Sequence, residues 1–248
     1  MRYKEYGKEN SQAVIFLHGG GLSWWNYREE AELLKNDFHV ILPILDGHAG
    51  SDAHFTTIEN NAAEIIAFIK ENLNGKVFMI GGLSLGGQIL LEMLSQQGDI
   101  CQYALVESAM VIPSKLTNKL MKSSISCSYP LIKKKWFSKM QFRSLHMKEE
   151  LFDDYYRDTC AVTKEDMIAF LQANTSYTLK NSIMECSADV QLYYGQKEIK
   201  GIKRSAQIIE GTIPHSTTHE LSGLYHGEFS INQADEYVKI IRKLNSVQ

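Results

Sequence analysis

Residues 81–94 read GGLSLGGQILLEML, which sets Ser84 between Gly82 and Gly86 directly ahead of an apolar, helix-forming run. A lone hydroxyl is a weak nucleophile. It needs a base for its proton, an acid to orient that base, and donors for the negative charge that develops. The G-x-S-x-G spacing meets the steric part of that demand. Glycines at both flanks let a strand and a helix approach closely, while the serine between them takes a strained conformation and projects outward. A helix beginning near Gly86 also directs its N-terminal amides and positive dipole end toward the hydroxyl. Attack of Ser84 on a carbonyl is the chemistry this stretch could perform.

A second stretch, FLHGGGLSWWNY at 16–27, runs from an apolar strand into His18, Gly19, Gly20 and Gly21. Its loop backbone is unencumbered by side chains. In an acyl-transfer site the amides of Leu85, just after the nucleophile, and of Gly20 would bind the oxyanion, each typically worth about 3 kcal/mol of barrier. A flexible turn or a phosphate loop is the alternative, although the Lys and Ser/Thr of a P-loop are missing.

The elements that must position these residues alternate along the chain. Apolar runs at 13–17, 39–45, 77–82, 103–108 and 190–195 read as inner strands of a parallel sheet covered on both faces. Ile58, Ala62, Ile65, Ile66, Ile69 and Leu73 recur at three- and four-residue steps, which predicts a helix ended by Gly75. A second helix is expected from Gly86 to Gly98, and a third over 228–245 with Ala234, Tyr237, Val238, Ile241 and Leu244 on one face. The alternation breaks between 110 and 183, where amphipathic helical stretches follow one another as in an insertion. That segment holds 12 Lys and Arg against 7 Asp and Glu, net +5, whereas the remainder has 14 against 22, net −8. A solvated helical surface accounts for such an excess; a basic lid favouring anionic substrates is the sharper alternative.

Composition bounds the function. At 248 residues, 44% hydrophobic and 22% charged, with a formal charge of −3, the chain suits a globular α/β protein and has no basic surplus for nucleic acid. No apolar run is long enough for a membrane span or a secretory signal, so a cytoplasmic location is expected. Cys101, Cys127, Cys160 and Cys186 lack C-x-x-C spacing and read as reduced packing thiols, with no metal site.

The H-G-x-G loop, the G-x-S-x-G turn and the helical insertion together resemble the α/β-hydrolase fold family over essentially the whole chain. The resemblance implies a mostly parallel central sheet flanked by helices, a core of 1–109 and 184–248, and a helical cap at 110–183 inserted after the sixth strand. It also implies a histidine after the last strand, which His226 in GLYHGEFSINQADEYVKII supplies. The acid is expected at the end of the seventh strand, where QKE offers Glu198 in place of the family's usual aspartate; Glu107, ending the sixth strand, is the rival. A buried carboxylate there fixes the imidazole tautomer and stabilises the imidazolium. His18 is expected to hold loop geometry. LDGHAGSD at 45–52 resembles the family's G-H-G-x-S turn, with Ala49 at the second glycine, and should brace the site through His48 and Ser51. His39, His54, His146, His215 and His219 read as structural.

The expected activity is acyl transfer without cofactor or metal: His226 takes the Ser84 proton, and water later releases the acyl group. Trp24, Trp25 and Trp136 are candidates for lining an apolar substrate pocket. A carboxylesterase-like hydrolase of small or medium apolar esters leads. A C–C or thioester hydrolase, or a non-catalytic small-molecule-binding member, is the alternative. A small-molecule substrate is the expected partner, with no nucleic acid and no stable membrane association.

Overall fold

The computed structural model describes residues 1–246. Seven strands, β1 (Arg2–Tyr6), β2 (Ala13–Leu17), β3 (His39–Ile44), β4 (Val77–Leu83), β5 (Cys101–Glu107), β6 (Asp189–Gly195) and β7 (Ser216–Leu221), form one sheet. Their order is β1-β3-β2-β4-β5-β6-β7. Strand β1 runs antiparallel to β3, and every other neighbouring pair is parallel. The five apolar runs of the sequence are β2 to β6. Strand β1 carried no such signal: RYKEY is exposed or half-buried and becomes a strand by backbone pairing with β3. Its charges also suit an edge that must not recruit other strands.

Helices α1 (Arg28–Leu34), α2 (Ile58–Asn72) and α3 (Leu85–Gln96) alternate with the first strands. Four more, α4 (Lys115–Ile132), α5 (Lys135–Ser144), α6 (Phe152–Ala161) and α7 (Lys164–Ser176), lie between β5 and β6. Helix α8 (Lys200–Glu210) joins β6 to β7, and α9 (Glu228–Asn232) and α10 (Ala234–Asn245) follow. The pleat of β2 splits the core in two: Ala13, Ile15 and Leu17 meet α2 and α3, while Val14 and Phe16 meet α1 and α10. Thr57 caps α2 by accepting the Asn60 amide, and Gly75 at φ 82° folds its amide back to Ile69 O, 3.1 Å away.

Two expectations need correction. The helical segment follows the fifth strand in chain order, not the sixth, and Glu198 follows the sixth, because this sheet has seven strands. The stretch 228–245 is two helices rather than one. Gln233 leaves helical geometry at φ −127° and ψ 47°. Beside the break, Asn232 donates to His146 O at 2.7 Å and accepts the Lys148 amide at 3.1 Å. These side-chain links to a distant backbone compete with continued helix.

Parallel pairing sets the stage for a site. Leu17 is level with Gly82, Leu83 with Glu107, and Glu107 with Tyr193. The loops after β2, β4, β5 and β6 therefore leave the sheet together at its carboxyl edge, where open α/β sheets bind ligands.

Candidate active site

Ser84 joins β4 to α3 at φ 53° and ψ −108°, a conformation that costs a non-glycine residue about 1–3 kcal/mol. The turn closes because its flanks lack side chains. A Cβ on Gly86 would lie 2.1 Å from Leu17 O, and one on Gly82 would lie 2.5 Å from Gly86 O. The Ser84 amide donates to Glu107 O at 2.8 Å, which ties the turn to β5. The Ser84 hydroxyl caps no helix amide. It is instead part of the wall of a cavity of about 550 Å³, together with Ser108, Glu198, Tyr225 and His226.

His226 precedes α9, and its Nδ1 lies 2.7 Å from Glu198 Oε2. Glu198 Oε1 accepts two further bonds, from Ser108 Oγ at 2.6 Å and from the Gly195 amide at 2.9 Å. Burial opposes ionisation of Glu198, but the hydrogen bond and charge of His226, with Ser108 and Gly195, hold the carboxyl below its usual range. An ionised carboxylate only accepts, so Nδ1 carries the ring proton and Nε2 is left as the acceptor. Ser84 and His226 share both this cavity and a narrow adjoining hollow walled by Gly19, Gly20 and Leu22, without a hydrogen bond between them.

Glu107, the rival acid, has a different task. It accepts the amides of Phe229 at 3.2 Å and Ser230 at 3.2 Å, at the start of α9. Burial raises its carboxyl to about 7, with Ser230 opposing the rise and Glu198 adding to it.

The loop after β2 is pinned from both sides. His18 Nδ1 donates to Gly19 O at 3.0 Å, while Nε2 accepts the Leu45 amide at 3.1 Å, which defines a neutral tautomer. Burial, then the neighbouring His48, pushes the His18 pKa well below its ordinary value. Asn26 Oδ1 accepts the Gly19 amide at 3.2 Å. Gly20 is thereby packed against Leu85: a Cβ on it would sit 3.5 Å from Leu85 Cδ2. The amides of Gly20 and Leu85 have no protein acceptor among the described residues. Leu85 is the first residue of α3, where no preceding helical carbonyl exists to receive its N–H.

Other expected residues fall elsewhere. None of the three tryptophans lines the cavity. Trp25 is buried in the core and donates to Asp158 Oδ2 at 2.7 Å. Trp24 lies beneath Lys4 and Arg28, and Trp136 is exposed on α5. For Trp25 the reason is the helical segment between β5 and β6, where α6 supplies a buried acceptor for the indole. His48 stacks on Phe170 beside His18, whereas Ser51 closes an exposed turn on Ala53. His39, His54 and His219 pair with Glu5, Asp166 and Gln191. Sequence reasoning missed Ser108, whose φ of 56° aims its hydroxyl at Glu198, and His146, which stacks on Tyr225 in the cavity wall with centroids 3.8 Å apart. The apolar wall is Met110, Ile112, Leu145, Ile199 and Ile202. Only the run of small residues after Glu107 hinted that a backbone turn would present a side chain there.

Comparison with known proteins agrees with this architecture. A family model described as the alpha/beta hydrolase fold matches residues 12–124. An esterase from Exiguobacterium antarcticum superposes with a TM-score of 0.82 at 17% identity, over 98% of this chain and 94% of that one. A thermophilic esterase from Thermogutta terrifontis gives 0.79 at 18% identity, over 98% and 91%. A carboxylesterase structure from Nitrososphaera gargenis gives 0.78 at 18% identity, over 99% and 94%. At these identities the likeness is one of fold. The chain has the alpha/beta-hydrolase fold.

Proposed function

We propose that the chain is a serine hydrolase working by acyl transfer on carboxylic esters of small or medium size. Ser84 is the nucleophile, His226 its base, and Glu198 the acid that orients the ring. The observation carrying this reading is the 2.7 Å bond from His226 Nδ1 to an ionised Glu198, in the same cavity wall as the strained Ser84.

His226 Nε2 takes the Ser84 proton as Oγ forms its bond to the substrate carbonyl carbon. The carbonyl oxygen gains the charge, and the amides of Gly20 and Leu85 hold it, each contributing about 3 kcal/mol. Collapse breaks the carbonyl–leaving-group bond, with His226 returning the proton to the departing alkoxide. Water, deprotonated by the same ring, then releases the acid and restores Ser84. A cavity of about 550 Å³ with an apolar wall of Met110, Ile112, Leu145, Ile199 and Ile202 suits a short acyl or alkyl group. Four free cysteines are consistent with a cytoplasmic setting.

A fluorophosphonate probe tests the assignment. Labelling of the folded protein at Ser84, absent in Ser84→Ala, is expected, together with hydrolysis of p-nitrophenyl esters. No labelling of folded protein would point to a binding protein. Turnover of thioesters or C–C substrates but not of esters would reassign the bond cleaved.

A further inference from the structure

The helical segment between β5 and β6 distributes its charge unevenly. From Ser108 to Lys148 there is no Asp or Glu, against nine Lys and Arg. Three of these cations reach acids elsewhere: Lys135 pairs with Asp153, Lys139 with Glu149 and Lys148 with Glu29. Lys115, Lys119, Lys122, Lys133, Lys134 and Arg143 form no ion pair among the described residues.

The same surface is apolar where a merely solvated face would be polar. The inner side of α4 is already occupied, since Ile125, Tyr129 and Ile132 pack on the core. Its outer side nevertheless carries Leu116 at 71% exposure and Leu120 at 55%, one turn apart. Helix α5 repeats the pattern with Trp136 at 66% and Met140 at 55%, again four residues apart. Lys133 and Lys134 join the two helices. Aliphatic residues and a tryptophan interleaved with lysines match the boundary between headgroups and acyl chains. A single nucleic-acid strand would take the cations and stack on the aromatic ring, but would leave Leu116, Leu120 and Met140 without a partner.

We propose that α4 and α5 form a docking face for an anionic lipid bilayer. Leu116, Leu120, Trp136 and Met140 enter the interface, and Lys115, Lys119, Lys122, Lys134 and Arg143 face lipid phosphates, while Lys133 lies over the Tyr129 ring. The association is peripheral and reversible, because no helix among the described residues is long and apolar enough to cross a membrane. Docking there sets the cavity beside the lipid: Ser114 and Thr117 at the start of α4, and Ser144 and Leu145 at the end of α5, belong to its wall. The sequence suggested no stable membrane association; exposure of these apolar side chains, which composition does not reveal, is what changes the inference.

The test is co-sedimentation of the full chain with phosphatidylcholine vesicles, with and without phosphatidylglycerol. It needs no catalysis, so its outcome is independent of the proposed activity. Each cation at an anionic surface contributes about fivefold in partitioning. Lys119→Glu combined with Lys122→Glu should therefore lower binding by at least about twenty-fivefold while leaving the thermal midpoint unchanged. High salt should weaken wild-type binding. Trp25 is buried and Trp24 half-buried, so a blue shift of tryptophan emission on anionic vesicles should vanish in Trp136→Phe. Equal partitioning to neutral and anionic vesicles would overturn the proposal, as would a charge-reversed variant that binds like wild type. Tighter retention on a single-stranded oligonucleotide than on anionic vesicles would also overturn it.

Discussion

Glu198→Gln probes how the site controls a proton. In the native protein Oε1 receives two donors, Ser108 Oγ at 2.6 Å and the Gly195 amide at 2.9 Å, while Oε2 faces His226 Nδ1 at 2.7 Å. A glutamine side chain has one acceptor oxygen, and those two donors hold it in the Oε1 position. The opposite orientation would leave two buried donors facing an NH₂ group, at about 1–3 kcal/mol each. The NH₂ group therefore points at Nδ1 and donates to it, which forces the ring proton onto Nε2. That nitrogen can then no longer accept the Ser84 proton. The expected loss in kcat is about ten-thousandfold, or about 5.5 kcal/mol of barrier, with little change in thermal midpoint. Steady-state hydrolysis of a p-nitrophenyl ester measures it, and the rate of fluorophosphonate labelling should fall in parallel. A folded variant retaining activity within about tenfold of wild type would refute the tautomer argument. An equal loss in Glu107→Gln would move the acid to the other carboxylate.

Further expectations concern the supports of the site. Glu107 has its carboxyl raised from 4.5 to about 7 by burial. The folded state thus prefers the protonated form, so the Glu107 contribution to stability is fully present below the unfolded value and is lost as pH rises through the folded one. That decline amounts to about 3 kcal/mol, and Glu107→Gln should lack it in urea titrations; parallel curves for variant and wild type would contradict the buried-acid account. Glu198 has the opposite sign: its lowered carboxyl contributes stability above the ordinary carboxylate range that is lost on acidification. Ser108→Ala should shrink this contribution by about 1.5–3 kcal/mol, seen as a smaller stability difference between neutral and acidic denaturation curves. Gly86→Ala puts a Cβ where Leu17 O is 2.1 Å away and should cost about 3 kcal/mol or more, lowering the thermal midpoint by about 2–4 °C per kcal/mol. An unchanged midpoint would mean that strand and helix are not in close approach.

Residues adjacent in the chain were legible in the sequence. Strands β2 to β6 are apolar nearly throughout because both their faces are covered, and the turn at Ser84 follows from the size of its immediate neighbours. Periodicity also located α2, and most of α3 and α10. Strand β1 escaped because its stabilisation is backbone pairing to β3, which leaves no apolar mark. The break at Gln233 escaped because it coincides with bonds from Asn232 to residues 146 and 148. The tryptophans show the same limit: an indole suits a pocket wall or a core equally, and Asp158, 133 positions along the chain, becomes the partner of Trp25 only once the chain between them folds back.

By itself the sequence determined the alternating architecture, the strained serine and the presence of two glutamates suited to an acid's role. Tertiary structure alone decided which glutamate meets the imidazole. Glu107 ends β5 and Glu198 follows the neighbouring parallel β6, so both reach the same edge of the sheet, yet one carboxylate turns to the first amides of α9 and the other to the His226 ring. Local sterics and periodicity act between near neighbours and leave their imprint in residue order. A hydrogen bond across 28 residues depends on strand order, turn geometry and burial acting together, and no single stretch of the chain encodes it.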